Sequence, residues 1–120
     1  MALNLIRKHD RAEIASRMEV AEHFVPRLKG LIGRSRFEPG EGLLFPRCNS
    51  VHMWMMSVPI DLVFLKKQAS EWLVLSVHPG LKPWKVLPVG NFRADDALEL
   101  PAGTIERKGI KSGEVLCIVS

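Results

Sequence analysis

Alternating apolar and polar residues form the clearest pattern in this chain of 120 residues. Between residues 13 and 20, Ile14, Met18 and Val20 fall on positions of the same parity, and a period of two is typical of a half-buried strand. Short apolar runs bounded by turn residues predict further strands. These strands are predicted at residues 3–8, 43–45, 51–55, 61–65, 72–77, 98–100 and 114–119, the last apolar on both faces and therefore central.

Proline and glycine separate these runs and predict two short helical segments. One begins near Pro26 and ends near Gly30. The other is a single turn from Thr104, as its cap, to Gly109. The polar residues 66–70 predict a hairpin connection. Residues 78–92 contain three prolines and two glycines and predict a long loop, which in a compact domain is often functional.

Many short strands with one or two helical turns predict a mainly β fold. We expect one domain over residues 1–120, built as a β-sandwich or a partly open barrel. Hydrophobic residues make up 47% of the chain, enough for a core that needs no disulfide or metal. The two cysteines, Cys48 and Cys117, form no disulfide framework, and both are expected to be thiols.

Charge and hydropathy narrow the choice of partners. Residues 1–36 carry eight Lys or Arg and four Asp or Glu, whereas the remainder carries nine of each sign. We interpret the basic excess as a solvated edge and expect no nucleic-acid partner, since no recognition motif accompanies it. No apolar run reaches the roughly 18–20 residues that span a bilayer, and the first residues lack the layout of a signal peptide. We therefore expect a cytoplasmic protein without a membrane partner.

Chemically versatile side chains are concentrated in residues 48–61. Cys48 and His52 would lie about 13 Å apart on an extended strand, too far to interact, but a turn at Asn49 and Ser50 would bring them together. They would then form a nucleophilic thiol pair or part of a zinc or copper site. Otherwise Cys48 is a small buried thiol. Asp61 follows at a strand start and either stabilises a turn, pairs with Arg34, or orients a ligand.

Three other features add to these alternatives. On a strand, His52, Trp54 and Met56 share one face, which is either a pocket wall or part of the core. Trp84 lies in the predicted long loop and offers a stacking surface or a loop anchor. Glu99 stands between two leucines, so alternation turns it away from their face, and we expect it to be exposed rather than catalytic unless that face lines a cleft.

The combination favours a binding module for a small polar or carbohydrate-like ligand. The predicted ligand contacts are Arg34, His52, Trp54, Met56, Asp61 and Trp84. The alternative is a metal- or thiol-dependent enzyme with Cys48, His52 and Asp61 as candidate catalytic residues. The sequence predicts no bound cofactor or metal and leaves the oligomeric state open.

Four motifs in order resemble a family of bacterial and archaeal proteins, domain-of-unknown-function family 192, also called uncharacterised protein family 0127. The motifs are Arg27-Leu28-Lys29-Gly30-Leu31-Ile32-Gly33-Arg34, Gly40-Glu41-Gly42-Leu43-Leu44-Phe45, Val51-His52 with Met56 and Pro59-Ile60-Asp61, and Leu98-Glu99-Leu100-Pro101-Ala102-Gly103-Thr104. The resemblance covers residues 13–119 and implies a mainly β, sandwich-like fold without an established activity. Ser57 stands where members with this histidine motif usually have arginine, which weakens an anion-binding role there.

Overall fold

Most of the predicted strands are present in the computed structural model, which describes residues 2–21, 37–51, 58–83 and 88–119. The strands are β1 (Leu3–Arg7), β2 (Glu13–Val20), β3 (Glu41–Pro46), β4 (Ser50–Val51), β5 (Ile60–Gln68), β6 (Glu71–Leu81), β7 (Val89–Gly90), β8 (Asp96–Pro101) and β9 (Val115–Val119). One helix, α1 (Thr104–Lys108), lies within these described ranges.

Seven of the strands form a closed barrel in the order β1-β2-β3-β8-β5-β6-β9, and β4 and β7 form a separate two-stranded sheet. Strands β2 and β3 are parallel, whereas the other neighbours in the barrel are antiparallel. The barrel closes because β9 pairs with β1 on one side and with β6 on the other. The mainly β class is confirmed, but the fold is neither a sandwich nor a partly open barrel.

Strands β3, β8 and β5 are buried on both faces, so the protein has an inner and an outer apolar layer. Alternate residues of these strands join different clusters, as β-strand geometry requires. Inside the barrel lie Leu44, Val63, Leu65, Leu98 and Leu100. The outer layer contains Leu43, Phe45, Ile60, Leu62, Phe64 and Ala97. Any polar side chain of outward parity on these strands therefore meets apolar neighbours.

The hairpin between β5 and β6 is longer than the sequence predicted. Strand β5 continues through Lys66, Lys67 and Gln68 with exposed side chains, and only Ala69 and Ser70 remain as the turn. Strand β6 continues to Leu81, so the predicted long loop was wrong for residues 78–81. Polar side chains do not end these strands because the hydrogen bonds that hold them are made by the backbone.

The helical turn at residues 104–108 is confirmed, but Thr104 is not its cap. The Oγ1 hydroxyl of Thr104 donates a hydrogen bond to the carbonyl oxygen of Pro101 at 2.6 Å. Gly103 occupies the N-cap position with a left-handed φ of 94° and provides no side chain. The predicted helix from Pro26 to Gly30 and the strand residues 52–55 lie outside the described residues.

Asp61 supplies the acceptor that the start of α1 lacks. Its Oδ2 accepts the backbone N–H of Ile105 at 2.8 Å, and its Oδ1 accepts that of Gly80, also at 2.8 Å. The side chain is fully buried. Asp61 therefore joins the start of β5 to the end of β6 and to the helix beside the barrel core, consistent with the turn-stabilising interpretation.

We expect Asp61→Ala to lower the free energy of unfolding by about 3–5 kcal/mol, because it leaves two backbone N–H groups without their side-chain acceptor. Asp61→Asn, which keeps one oxygen, should fall between this variant and the native protein. Urea denaturation followed by circular dichroism measures both. The matched control is Glu106→Ala on the exposed side of α1, with an expected change below about 0.5 kcal/mol. A loss of under about 1 kcal/mol for Asp61→Ala would contradict this role.

Candidate functional site

A straight row of paired residues crosses the outer face of four neighbouring barrel strands. Glu99 on β8 is paired with Leu43 on β3 and with Leu62 on β5. Leu62 is in turn paired with His78 on β6. Directly paired residues project from the same face of a sheet. Glu99 and His78 therefore share the outer face, with Leu62 between them.

Glu99 is buried, and the prediction that it is exposed was wrong. Its alternation away from the two flanking leucines holds, but that face is itself covered, and only 5% of the residue is exposed. Burial raises the pKa of its carboxyl from the ordinary 4.5 to about 8. The carboxyl makes no hydrogen bond to another described residue. At neutral pH it is mostly protonated and can both donate and accept a hydrogen bond.

A hydrogen-bonded group of three polar side chains continues the outer face from β6. The Nδ2 group of Asn91 donates to the Oγ atom of Ser76 at 3.0 Å. The same Oγ atom lies 3.0 Å from Nε2 of His78. Ser76 is paired with Phe64 on β5, which places it one row beyond His78. We call Ser76, His78, Asn91 and Glu99 the outer-face cluster.

His78 contributes an uncharged imidazole to this cluster. Burial lowers its pKa below the ordinary value of 6.5. Its ring packs edge-on against Phe64, with centroids 5.5 Å apart and an interplanar angle of 78°. Since Glu99 is mostly protonated at neutral pH and His78 is neutral, both titratable groups of the cluster are predominantly uncharged there.

The spacing of the cluster suits a small molecule rather than a single ion. Two strand separations place the backbones of Glu99 and His78 about 10 Å apart. Leu62 lies between them and is fully buried, so it separates the two polar ends without being open to a ligand itself. Binding sites for small organic molecules combine apolar surroundings with a few placed polar groups.

Of the six residues predicted from sequence to contact a ligand, only Asp61 is among the described residues. Arg34, His52, Trp54, Met56 and Trp84 lie outside the described residues, and their roles stay predictions. The proposed approach of Cys48 to His52 stays a prediction for the same reason. Asp61 is described, and both of its carboxylate oxygens accept backbone hydrogen bonds within the core.

Cys48 lies beside an open depression on another part of the surface. Its Sγ atom donates to the carbonyl oxygen of Ser50 at 3.3 Å. The depression has a volume of about 490 Å³ and is lined by Arg47, Cys48, Asn49, Lys67, Ala94, Asp95 and Asp96. Asp96 accepts hydrogen bonds from the Trp72 indole and from the backbone of Arg47. One wall of the depression is therefore part of the structural framework.

Metal-binding groups do not converge in the described part of the chain. Within it, no three histidine, cysteine, aspartate or glutamate side chains are arranged so that they could hold a metal ion. In the same ranges, no helix is long and apolar enough to cross a membrane.

Sequence reasoning missed Ser76, His78 and Asn91. His78 and Asn91 were placed in a loop, and Ser76 stands in an apolar run with no motif around it. The signal that links them is the register of β5 against β6, because it sets Leu62 opposite His78 and Phe64 opposite Ser76. The register shifts at two places, near Asp61 and Leu65. Because of these shifts, the residue opposite a given position cannot be found by counting from the hairpin turn.

The closed mixed barrel with its buried outer layer is a small β domain. The amino-acid sequence of the chain shows which family it belongs to. Residues 5–118 match the model of domain-of-unknown-function family 192, described as uncharacterized ACR. The chain belongs to this family, as the four motifs indicated. No protein of curated function matches its sequence.

Two solved structures share the fold over nearly the whole chain. A protein of unknown function from Novosphingobium aromaticivorans superposes with a TM-score of 0.80 at 22% identity, over 96% of this chain and 84% of that one. A protein from Sinorhizobium meliloti, named as a candidate transcription regulator, has a TM-score of 0.78 at 27% identity. That match covers 97% of this chain and 91% of the other.

The burial of Glu99 predicts how stability depends on pH. In the unfolded chain the carboxyl ionises near pH 4.5, but in the folded protein it holds its proton until about pH 8. The contribution of Glu99 to the free energy of unfolding is therefore intact below pH 4.5. It is lost progressively as the pH rises and stays lost above pH 8. At pH 9 we expect Glu99→Gln to be more stable than the native protein by on the order of 4 kcal/mol, with little difference at pH 5.

Urea denaturation of both proteins from pH 5 to pH 9 measures this difference. Glu13→Gln, which changes an exposed glutamate on β2, is the matched control and should follow the native protein at every pH. If Glu99→Gln also follows the native protein throughout, the carboxyl is not held in its neutral form by burial.

Proposed function

We propose that this domain binds a small, uncharged polar molecule such as a sugar or polyol at the outer-face cluster. The observation that carries the proposal is the carboxyl of Glu99. It is buried, and it has no hydrogen-bond partner among the described residues. A carboxyl that no described residue bonds keeps hydrogen-bonding capacity for a ligand. A ligand hydroxyl would supply the missing partner.

The charge of the cluster favours a neutral ligand. A charged ligand transferred to this surface would lose hydration without gaining an opposite charge from either titratable group. A hydroxyl group both donates and accepts a hydrogen bond, as do a protonated carboxyl and a neutral imidazole. The protonation states of Glu99 and His78 at neutral pH thus match the chemistry of a sugar hydroxyl.

The apolar residues of the outer layer fit the same class of ligand. Leu62 and Phe64 lie beside the polar side chains on this face. Both residues are fully buried, so they supply dry apolar surroundings rather than a contact surface, and binding sites for small molecules combine such surroundings with a few placed polar groups. The contacts predicted at Arg34, His52, Trp54, Met56 and Trp84 would add to those of the cluster.

We expect substitutions at Glu99 to separate hydrogen bonding from charge. Glu99→Gln keeps a neutral donor and acceptor, so it should bind within about threefold of the native protein, whereas Glu99→Leu should lose at least about tenfold in affinity. Native affinity should fall as the pH rises through about 8, while Glu99→Gln should show no such fall. Titrations of a panel of monosaccharides and polyols, followed by amide NMR shifts, measure these affinities.

Ser76→Ala tests the other end of the cluster and should also weaken binding, since it interrupts the chain from Asn91 to His78. Glu13→Gln is again the control and should bind like the native protein. Failure of the whole panel to shift any amide of β5, β6 or β8 would contradict the proposal. Equal binding by Glu99→Leu and the native protein would remove Glu99 from the site.

A thiol- or metal-dependent enzyme centred on Cys48 and His52 is the alternative proposal. The observation in its favour is that Cys48 borders the 490 Å³ depression.

If Cys48 is an ordinary thiol, it should react with iodoacetamide at a rate within about tenfold of Cys117, because both are partly exposed and access and thiolate fraction set the rate. Mass spectrometry of time points at pH 7 compares them, with Cys48→Ser and Cys117→Ser as controls. Selective reaction of Cys48, or one bound zinc or copper per chain, would favour the enzyme.

A nucleic-acid-binding role has less support. It would agree with the name of the Sinorhizobium meliloti protein and with the basic excess of residues 1–36. However, Arg7 forms ion pairs with Asp10 at 3.0 Å and Glu114 at 3.3 Å. Lys8 lies 2.9 Å from Glu71. Basic side chains that are paired within the protein contribute less to phosphate binding, so we rank this role last.

A further inference from the structure

Phe92 is a large apolar side chain placed almost entirely in solvent. It follows β7 directly and is 90% exposed. Exposing an aromatic ring forgoes the stabilisation that burial would give. Single exposed apolar side chains are common on protein surfaces, so the significance of Phe92 depends on where it lies.

The turn that carries Phe92 is held by hydrogen bonds on both sides of it. The backbone N–H of Ala94 donates to the carbonyl oxygen of Asn91 at 2.9 Å. The N–H of Arg93 donates to Oδ1 of Asn91 at 3.1 Å, and the N–H of Asn91 donates to the carbonyl oxygen of Asn49 at 2.9 Å. These bonds position the backbone of Phe92 before any ligand arrives, which lowers the ordering cost of binding.

The same asparagine connects this turn to the outer-face cluster. While Oδ1 of Asn91 fixes the turn, its Nδ2 donates to Oγ of Ser76, which lies next to His78. Adjacent Cα atoms are about 3.8 Å apart, so the backbone of Phe92 begins one residue from a member of the cluster. Phe92 is thus the chain neighbour of a cluster member whose hydrogen bonds hold both the turn and Ser76.

We infer that Phe92 is a stacking platform for the apolar C–H face of a ring-form sugar whose hydroxyls bind the outer-face cluster. This inference rests on the proposed function and narrows its ligand class from polyols in general to pyranoses. An open-chain polyol offers the same hydroxyls but no flat C–H face. The aromatic ring therefore discriminates between the two, whereas the hydrogen-bonding groups do not.

The experiment compares a pyranoside with its open-chain counterpart. Methyl β-D-glucopyranoside and sorbitol are titrated into the native protein, Phe92→Ala, Phe92→Leu and Phe92→Trp, with amide NMR shifts as the readout. We expect Phe92→Ala and Phe92→Leu to bind the pyranoside about tenfold more weakly and sorbitol within about twofold of the native affinity. Phe92→Trp should retain pyranoside binding. Because Phe92 is exposed, these variants are expected to fold, and Glu106→Ala serves as the control.

The outcomes separate this inference from the proposed function. If the native protein binds the pyranoside and Phe92→Ala binds it equally well, or loses affinity for both ligands alike, the stacking role is overturned while the binding function stands. If the native protein binds neither molecule at up to about 100 mM, which limits the binding energy to about 1.4 kcal/mol, the stacking role is overturned. The proposed function is overturned as well if the whole panel of monosaccharides and polyols also fails to bind. A selective loss of pyranoside binding supports the inference.

Discussion

Burial of both faces of β3, β8 and β5 is the constraint on which the rest of the structure depends. A closed barrel needs only its inner face to be apolar, and here that face supplies one core. The second apolar layer outside the same strands removes the water that an outward-facing residue would otherwise meet. Glu99 has outward parity on the middle strand of the three, so the fold itself places a carboxyl where ionisation is unfavourable. The candidate site and the chemistry we propose for it follow from that placement.

Two acids on neighbouring strands show how differently this protein uses a buried carboxyl. Asp61 faces two backbone N–H groups, one from β6 and one from α1, and thereby ties the end of the barrel together. Glu99 has no comparable donors among the described residues and retains its proton instead. The first acid is accounted for by the fold. The second has hydrogen-bonding capacity that the described residues do not use, and it shares its face with His78.

Local signals predicted the strands well because each depends on the residues within it. The alternation in β2, the apolar runs of β3 and β8, and the glycine that ends α1 all appeared where the sequence placed them. Closure of the barrel was not predictable, since it depends on β9 reaching both β1 and β6, far away in sequence. Glu99 was expected to be exposed because alternation says which face a residue takes but not what covers that face. His78 and Ser76 were missed because their relation to Glu99 exists only through the register across β5.

The pKa of Glu99 tests the central claim most directly. Selective ¹³C labelling of glutamate side chains, with the Glu99 carboxyl signal assigned by its absence from Glu99→Gln, gives the titration of this one group in the folded protein. The account predicts a midpoint near pH 8, against the ordinary value of 4.5. A midpoint near 4.5 would show that the outer layer does not exclude water from the carboxyl. It would remove the physical basis for an uncharged binding surface on this face.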